Sequence, residues 1–188
     1  MNTLIIDTSH NLLVVGLAIN GVLVESFQDH VSKKHSEQLL IKVKSITENN
    51  NITPNQINEI VVTDGPGSYT GMRIGITFVK TFALTNTKLK IYKIDTLLSL
   101  SGLSSGFALL DARSKRVFGA YVENGIVNEE RVYNLDELNL EGLKLFGDSH
   151  LIDGRDSEFG DISQNILSLR DKWTLVDNID VLVPRYIK

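Results

Sequence analysis

The chain has 188 residues, a formal net charge of −4 and no cysteine. That length can bury a full core as one domain or as two small lobes. Absence of cysteine excludes disulfides, thiol nucleophiles and cysteine–metal sites and fits a reducing compartment. A mildly acidic chain without a long basic run argues against a stand-alone nucleic-acid reader.

The opening Met1-Asn2-Thr3-Leu4-Ile5-Ile6-Asp7 has no basic n-region and meets an acid early, so no secretory signal is expected. No apolar run approaches membrane-spanning length, and the expectation is a soluble, cytoplasmic protein with no membrane partner. Leu4-Ile5-Ile6 followed by Asp7-Thr8-Ser9 reads as a buried strand ending in a polar turn. Residues 12–19 form a second strand. Asn20-Gly21 is the type I′ hairpin signal, because both positions must tolerate positive φ, and Val22-Leu23-Val24 begins the return. The chain thus opens as a three-stranded meander.

Residues 35–46 have helical spacing: Leu39, Leu40, Val43 and Ile46 share one stripe, and Ile41 falls on the other face. Asn49-Asn50-Asn51 breaks that helix, and Thr53-Pro54 opens a short one as N-cap and first-turn proline. Glu59-Ile60-Val61-Val62-Thr63 is a short buried strand.

Behind it stands Asp64-Gly65-Pro66-Gly67-Ser68-Tyr69-Thr70-Gly71-Met72-Arg73-Ile74-Gly75. Residues 76–84 then read as a helix apolar over most of its circumference, hence buried on more than one side. Two readings of the glycine stretch stay open. One is a cradle of backbone N–H groups that holds an anion at a helix N-terminus; the other is a tight turn that packs strand against helix. It does not fit a P-loop, a dinucleotide fingerprint or a nucleophile elbow: the glycine spacing differs from each, and Met72-Arg73 stand where a P-loop has Lys-Ser/Thr.

Further on, residues 89–94 form a strand and Asp95-Thr96 caps a helix that runs to residue 103. Phe107-Ala108-Leu109-Leu110-Asp111 is a strand ending in an acid. Residues 116–123 and 126–132 flank a second Asn-Gly turn at Asn124-Gly125. Displacing the opening by 104 residues places Asp7 on Asp111 and Asn20-Gly21 on Asn124-Gly125. Strand, acid, hairpin and turn recur in one spacing, the mark of two copies of one lobe. The expected fold is α/β: two tandem ribonuclease-H-like lobes of the actin, sugar-kinase and Hsp70 (ASKHA) class. They divide as 1–103 and 104–188, with the second shortened. Lys144-Leu145-Phe146-Gly147 reads as a strand, while 162–169 and 175–183 fit either helix or strand.

In that class ATP phosphates lie between the lobes against the meander turns, where an acid acts with Mg²⁺. Asp7 and Asp111 stand at those turns. Yet neither Asp7-Thr8-Ser9-His10-Asn11 nor Asp111-Ala112-Arg113-Ser114-Lys115 contains glycine, so side chains take the phosphate positions. A residual nucleotide or anion cleft would comprise Asp7, Thr8, Ser9, Gly65, Gly67, Ser68 and Asp111. The histidines offer no metal set. His30 and His35 are five apart, off the helical pairing distance, and His10 and His150 have no local partner. Ser68 has no base beside it in sequence. Besides a non-catalytic scaffold, the open alternatives are an active ATP-dependent kinase or acyl transferase and a peptidase, the last without a visible metal set or nucleophile–base pair.

The glycine stretch closely resembles the signature of the TsaB (YeaZ) family, the non-catalytic, glycoprotease-like members of the bacterial tRNA threonylcarbamoyladenosine machinery. Ile6-Asp7-Thr8-Ser9, His35-Ser36-Glu37-Gln38-Leu39-Leu40, Asp111-Ala112-Arg113 and the tail Pro184-Arg185-Tyr186-Ile187-Lys188 match as well. Tyr69 and Met72 stand where phenylalanine and leucine are usual, and Ile41 where a proline commonly follows the two leucines.

The resemblance implies a scaffold with no catalytic residue, metal or cofactor of its own. The catalytic paralogue TsaD holds its metal through a His-x-x-x-His pair, whose places fall here on Thr96 and Leu100. It implies pairing with TsaD, or with a second copy as a homodimer, through helices equivalent to 35–46 and 72–84. Candidate contacts are His35, Leu39, Leu40, Ile41, Arg73, Ile76, Phe78, Val79 and Phe82. It further implies that the ATPase TsaE recognises the heterodimer and that tRNA is met only through the complex. TsaD then transfers threonylcarbamoyl to the adenosine beside the anticodon.

Overall fold

A computed structural model describes residues 1–31, 34–154, 157 and 159–187. Strands β1 (Asn2–Asp7), β2 (Leu12–Ile19) and β3 (Val22–His30) form the opening meander. Its turn has Asn20 at φ 51° and Gly21 at φ 82°, as a type I′ turn requires. Helix α1 (His35–Asn49) follows and ends where Asn51 turns left-handed at φ 55°. The short helix expected after Thr53 is a single 3₁₀ turn, Pro54–Gln56, closed by a capping box between Thr53 and Gln56.

β4 (Glu59–Gly65) leads into α2 (Tyr69–Ala83), which begins at Tyr69 rather than at 76. The reason is local: Ser68 Oγ accepts the Gly71 N–H at 3.2 Å and starts the helix inside the glycine stretch. β5 (Lys90–Asp95) ends in the Asp95 cap of α3 (Thr96–Ser101), whose carboxylate accepts the Leu98 N–H at 2.8 Å. α3 stops short of residue 103 because Gly102 takes φ 58°.

The second meander is β6 (Gly106–Arg113), β7 (Arg116–Glu123) and β8 (Ile126–Asn134), followed by β9 (Leu145–Gly147) and α4 (His150–Asp153). The two ambiguous stretches resolve as α5 (Ile162–Ser168) and as β10 (Thr174–Leu175) with a 3₁₀ turn at Ile179–Val181. Among the described residues no helix is long and apolar enough to cross a membrane.

The strands form two sheets, ordered β10-β5-β4-β1-β2-β3 and β8-β7-β6-β9. In each, a meander's first strand pairs in parallel with a later strand, β1 with β4 and β6 with β9, which is the ribonuclease-H-like arrangement. The Asn-Gly hairpins keep one register, with Ile19 opposite Val22 and Glu123 opposite Ile126. The inner pairs slip by one residue: Leu4 faces Leu17, whereas Ala108 faces Ala120. The turn after β6 is the tighter, with Arg113, Ser114 and Lys115 all left-handed at φ 68°, 56° and 58°.

Strands from 106 to 147 build the second sheet, but the chain then returns to the first. β10 pairs antiparallel with β5, setting Thr174 opposite Lys93.

Side chains of β1 alternate between two cores, as the strand period requires. Ile5 joins a core that the two sheets share, together with Leu97 and Leu100 of α3, Ala108 and Leu110 of β6, and Ile162 and Ile166 of α5. Leu4 and Ile6 point the other way, to Leu39 and Val43 of α1 and Ile76 and Val79 of α2. Each fully buried leucine, isoleucine or valine contributes about 1.5–3 kcal/mol. α1 and α2 therefore cover one face of the first sheet, while α3 and α5 lie between the sheets.

Candidate functional site

The glycine stretch is where three parts of the chain meet. A methyl group on Gly67 would lie 2.2 Å from the Ser9 carbonyl oxygen, one on Gly71 2.0 Å from the Thr8 carbonyl oxygen, and one on Gly75 2.6 Å from Thr8 Oγ1. Gly65, at φ 125°, would place its methyl 2.4 Å from the Arg185 carbonyl oxygen. All four glycines thus admit protein, three of them the β1–β2 turn and one the C-terminal segment. Several N–H groups of the stretch are spent inside the chain: Ser68 donates to the Ser9 carbonyl at 2.6 Å and Gly75 to Thr8 Oγ1 at 3.1 Å. Thr8 Oγ1 in turn donates to the Gly71 carbonyl at 2.7 Å.

Asp7 sits beneath this turn, fully buried. Its Oδ1 accepts the Ser9 N–H at 2.8 Å, Ser9 Oγ at 2.5 Å and Thr63 Oγ1 at 2.7 Å. Its Oδ2 lies 3.0 Å from His10 Nε2, and His10 Nδ1 accepts the Leu12 N–H, so Nε2 carries the proton and donates to Asp7. The His10 ring is itself buried and stacks on Phe159, with centroids 5.5 Å apart. His10 therefore has a partner that the sequence reading missed; the Asp-x-x-His spacing across the turn was the available signal. His150 also has one, with Nδ1 2.7 Å from Ser157 Oγ.

Burial pushes the Asp7 carboxyl up, but the His10 contact and the Ser9 hydrogen bonds outweigh it and hold its pKa at about 2, below the ordinary 3.8. A carboxylate depressed on folding stabilises the fold above its unfolded pKa, and that contribution fades as pH falls through the folded one. Asp7 is thus expected to contribute about 2 kcal/mol that is lost between about pH 4 and pH 2. Urea unfolding of the wild type and Asp7→Asn across this window checks it. The wild type should lose that increment on acidification, and the variant, already without it, should show a correspondingly flatter profile.

The predicted cleft residues Asp7, Thr8, Ser9, Gly65, Gly67 and Ser68 are brought together. Asp111 bonds instead within the second sheet, its N–H donating to Asp148 at 2.8 Å and its carboxylate pairing with Arg113 at 3.1 Å. Thr96 and Leu100 are both buried on α3.

The predicted interface residues divide by orientation. His35, Leu39, Ile76 and Val79 are buried in this chain's own fold and hold α1 and α2 on the sheet. Leu40 (63% exposed) and Ile41 (56%) face outward, Arg73 is exposed, and Phe78 and Phe82 are half-buried. Leu40 therefore leaves the stripe it was expected to share: Leu39, Val43 and Ile46 suffice to cover β2 and β3, and Leu40 falls past the stripe's edge. Between the helices runs a groove of about 460 Å³, walled by Leu39 and Leu40 on one side and by Tyr69, Arg73, Ile74 and Phe78 on the other.

The C-terminal segment, described to Ile187 with Lys188 outside the described residues, is fastened at Arg185. Its N–H donates to the Asp64 carbonyl at 2.7 Å, and its guanidinium donates to the Gly65 carbonyl at 2.6 Å, to Asp95 and to both oxygens of Glu130. One cation thus joins β4, β5 and the second sheet's β8. Burial and the neighbouring Glu130 raise the Asp95 pKa to about 7 despite Arg185.

Residues 27–126, just over half of the chain, match the model of the family described as TsaD, tRNA N6-adenosine threonylcarbamoyltransferase. The tRNA threonylcarbamoyladenosine biosynthesis protein TsaB of Bacillus subtilis (strain 168) is 32% identical over 136 residues, covering 69% of this chain and 59% of that protein. Its counterpart in Escherichia coli (strain K12) is 30% identical over 140 residues, covering 69% and 60%. The chain belongs to this family, in its TsaB (YeaZ) group. It spans about six tenths of the length of these curated TsaB relatives. The fold is that of YeaZ from Pseudomonas aeruginosa, with a TM-score of 0.75 at 18% identity over 99% of both chains. A second Pseudomonas aeruginosa structure, described as similar to peptidase YeaZ, gives 0.80 at 18% identity over 100% and 99%.

Proposed function

We propose that this chain is a non-catalytic scaffold in the biosynthesis of tRNA N6-threonylcarbamoyladenosine, binding and activating the catalytic TsaD protein through the α1–α2 face. The observation that carries the reading is the groove between those helices, with Leu40, Ile41 and Tyr69 exposed on and beside its walls. An apolar groove flanked by exposed large side chains on a soluble fold is a site for a protein surface. The TsaD-type family model and the TsaB names of the curated relatives point to the same pathway. In this reading TsaE acts on the heterodimer, tRNA is met only through the complex, and the same face serves a homodimer when TsaD is absent. The internal hydrogen bonds of Asp7, and Thr96 and Leu100 where the paralogue's histidines fall, favour a scaffold over an ATP-dependent enzyme of the same fold.

Size-exclusion chromatography with light scattering, on the chain alone and mixed with TsaD from the same organism, tests this. The expected result is a new one-to-one species. No complex, together with saturable Mg-ATP binding by the isolated chain, would overturn the reading in favour of a kinase or acyl transferase.

A further inference from the structure

The two helices do not use the whole of this face, because the C-terminal segment lies beside α2 and runs antiparallel to it. Lys80 Nζ donates to the Asp180 carbonyl at 3.1 Å at one end, and Arg73 Nε donates to Tyr186 Oη at 3.1 Å at the other. Leu182 anchors the segment in the core shared with α1 and α2, while Val181, Val183 and Tyr186 remain exposed. Tyr186 stacks on Tyr69 with centroids 5.3 Å apart, and the Arg73 guanidinium lies over the Tyr69 ring at 3.9 Å. Tyr69 and Arg73 are among the residues that wall the groove.

Arg73 is therefore fixed between a ring and a hydroxyl before any partner arrives, and side chains ordered in advance lose little entropy on binding. Tyrosine and arginine are also the residue types that most often carry interface energy. Among the described residues no carboxylate pairs with Arg73, and α2 itself contains no Asp or Glu.

We propose that residues 180–187 are a third ridge of the docking face, and that Arg73 with Tyr186 receives a carboxylate from the protein partner. This rests on reading the α1–α2 groove as the docking face. The occupant is a different protein offering an acidic side chain beside an apolar ridge. A second copy meeting α2 against α2 brings Arg73 and Lys80 of each chain together without an acid on either α2, so the homodimer of this face is the weaker pairing and gives way to a partner that supplies a carboxylate. Arg185 holds the ridge in place through Asp64, Asp95 and Glu130, so the second lobe takes part in presenting it.

Titration calorimetry with TsaD at low and high salt tests the proposal on the wild type, Arg73→Gln, Tyr186→Ala and Leu40→Glu. Arg73→Gln is expected to weaken binding about tenfold and to flatten its salt dependence, with Tyr186→Ala weakening it by a similar factor. Thermal melts should be unchanged for all three variants, because each residue is exposed. If Arg73→Gln and Tyr186→Ala bind like the wild type while Leu40→Glu does not bind, the third ridge is wrong and the groove stands. If the wild type itself fails to bind, the groove reading falls and the ridge with it.

Discussion

Gly71→Ala should destabilise the protein by about 3 kcal/mol, even though the same change in an exposed helix interior stabilises by about 1 kcal/mol. The new methyl would stand 2.0 Å from the Thr8 carbonyl oxygen and 3.2 Å from Ser68 Cβ. The first of these is backbone, so no rotamer change relieves it. Either α2 lifts from the β1–β2 turn or the turn moves. Both routes break the bonds from Thr8 Oγ1 to the Gly71 carbonyl and from Gly75 N–H to Thr8 Oγ1. Overpacking outweighs helix propensity here, and the melting temperature should fall by about 10 °C. Gly21→Ala is the control: its φ of 82° is strained for alanine, but nothing lies within 4 Å, so about 1 kcal/mol is expected. Equal melting temperatures for the Gly71 variant and the wild type would show that α2 does not pack on the turn in solution.

The second large effect separates surface from core on the same pair of helices. Leu40→Glu should leave the melting temperature within about 2 °C of the wild type and weaken TsaD binding more than a hundredfold, since it places a charge in a buried hot spot. Val79→Asp should instead unfold the chain, because Val79 is 0% exposed and a lone carboxylate there costs about 4 kcal/mol. Thermal melts and a binding titration on both variants check this. Were Leu40→Glu to bind normally with its fold intact, the α1–α2 face would not be the docking surface.

Sequence pattern served well where a local rule decides the outcome. Both Asn-Gly turns, the strands they join and the repeat between the lobes follow from φ preferences and a period of two, and all are present. The glycine stretch was legible as a place of close backbone approach, but not what approaches, because Thr8, Ser9 and Arg185 are far from it in sequence. The start of α2 was misplaced because glycines lower helix propensity, whereas tertiary packing on the turn requires them within the helix. Leu40 and Leu39 are equally apolar, and only the width of the sheet beneath α1 decides which one is covered. The Arg185 cluster draws on Asp64, Asp95 and Glu130 from three strands and had no sequence signature at all.

The return of β10 to the first sheet bears on synthesis. β5 keeps an unpaired edge until Thr174 and Leu175 reach Tyr92 and Lys93, with the whole second meander translated in between. At ordinary elongation rates that gap lasts on the order of ten seconds. During it, a strand edge of the first lobe is open to other nascent chains. The order of manufacture thus leaves the N-terminal half unfinished until the C-terminal segment arrives, and slowed translation across 104–173 would lengthen its exposure to aggregation and to chaperones.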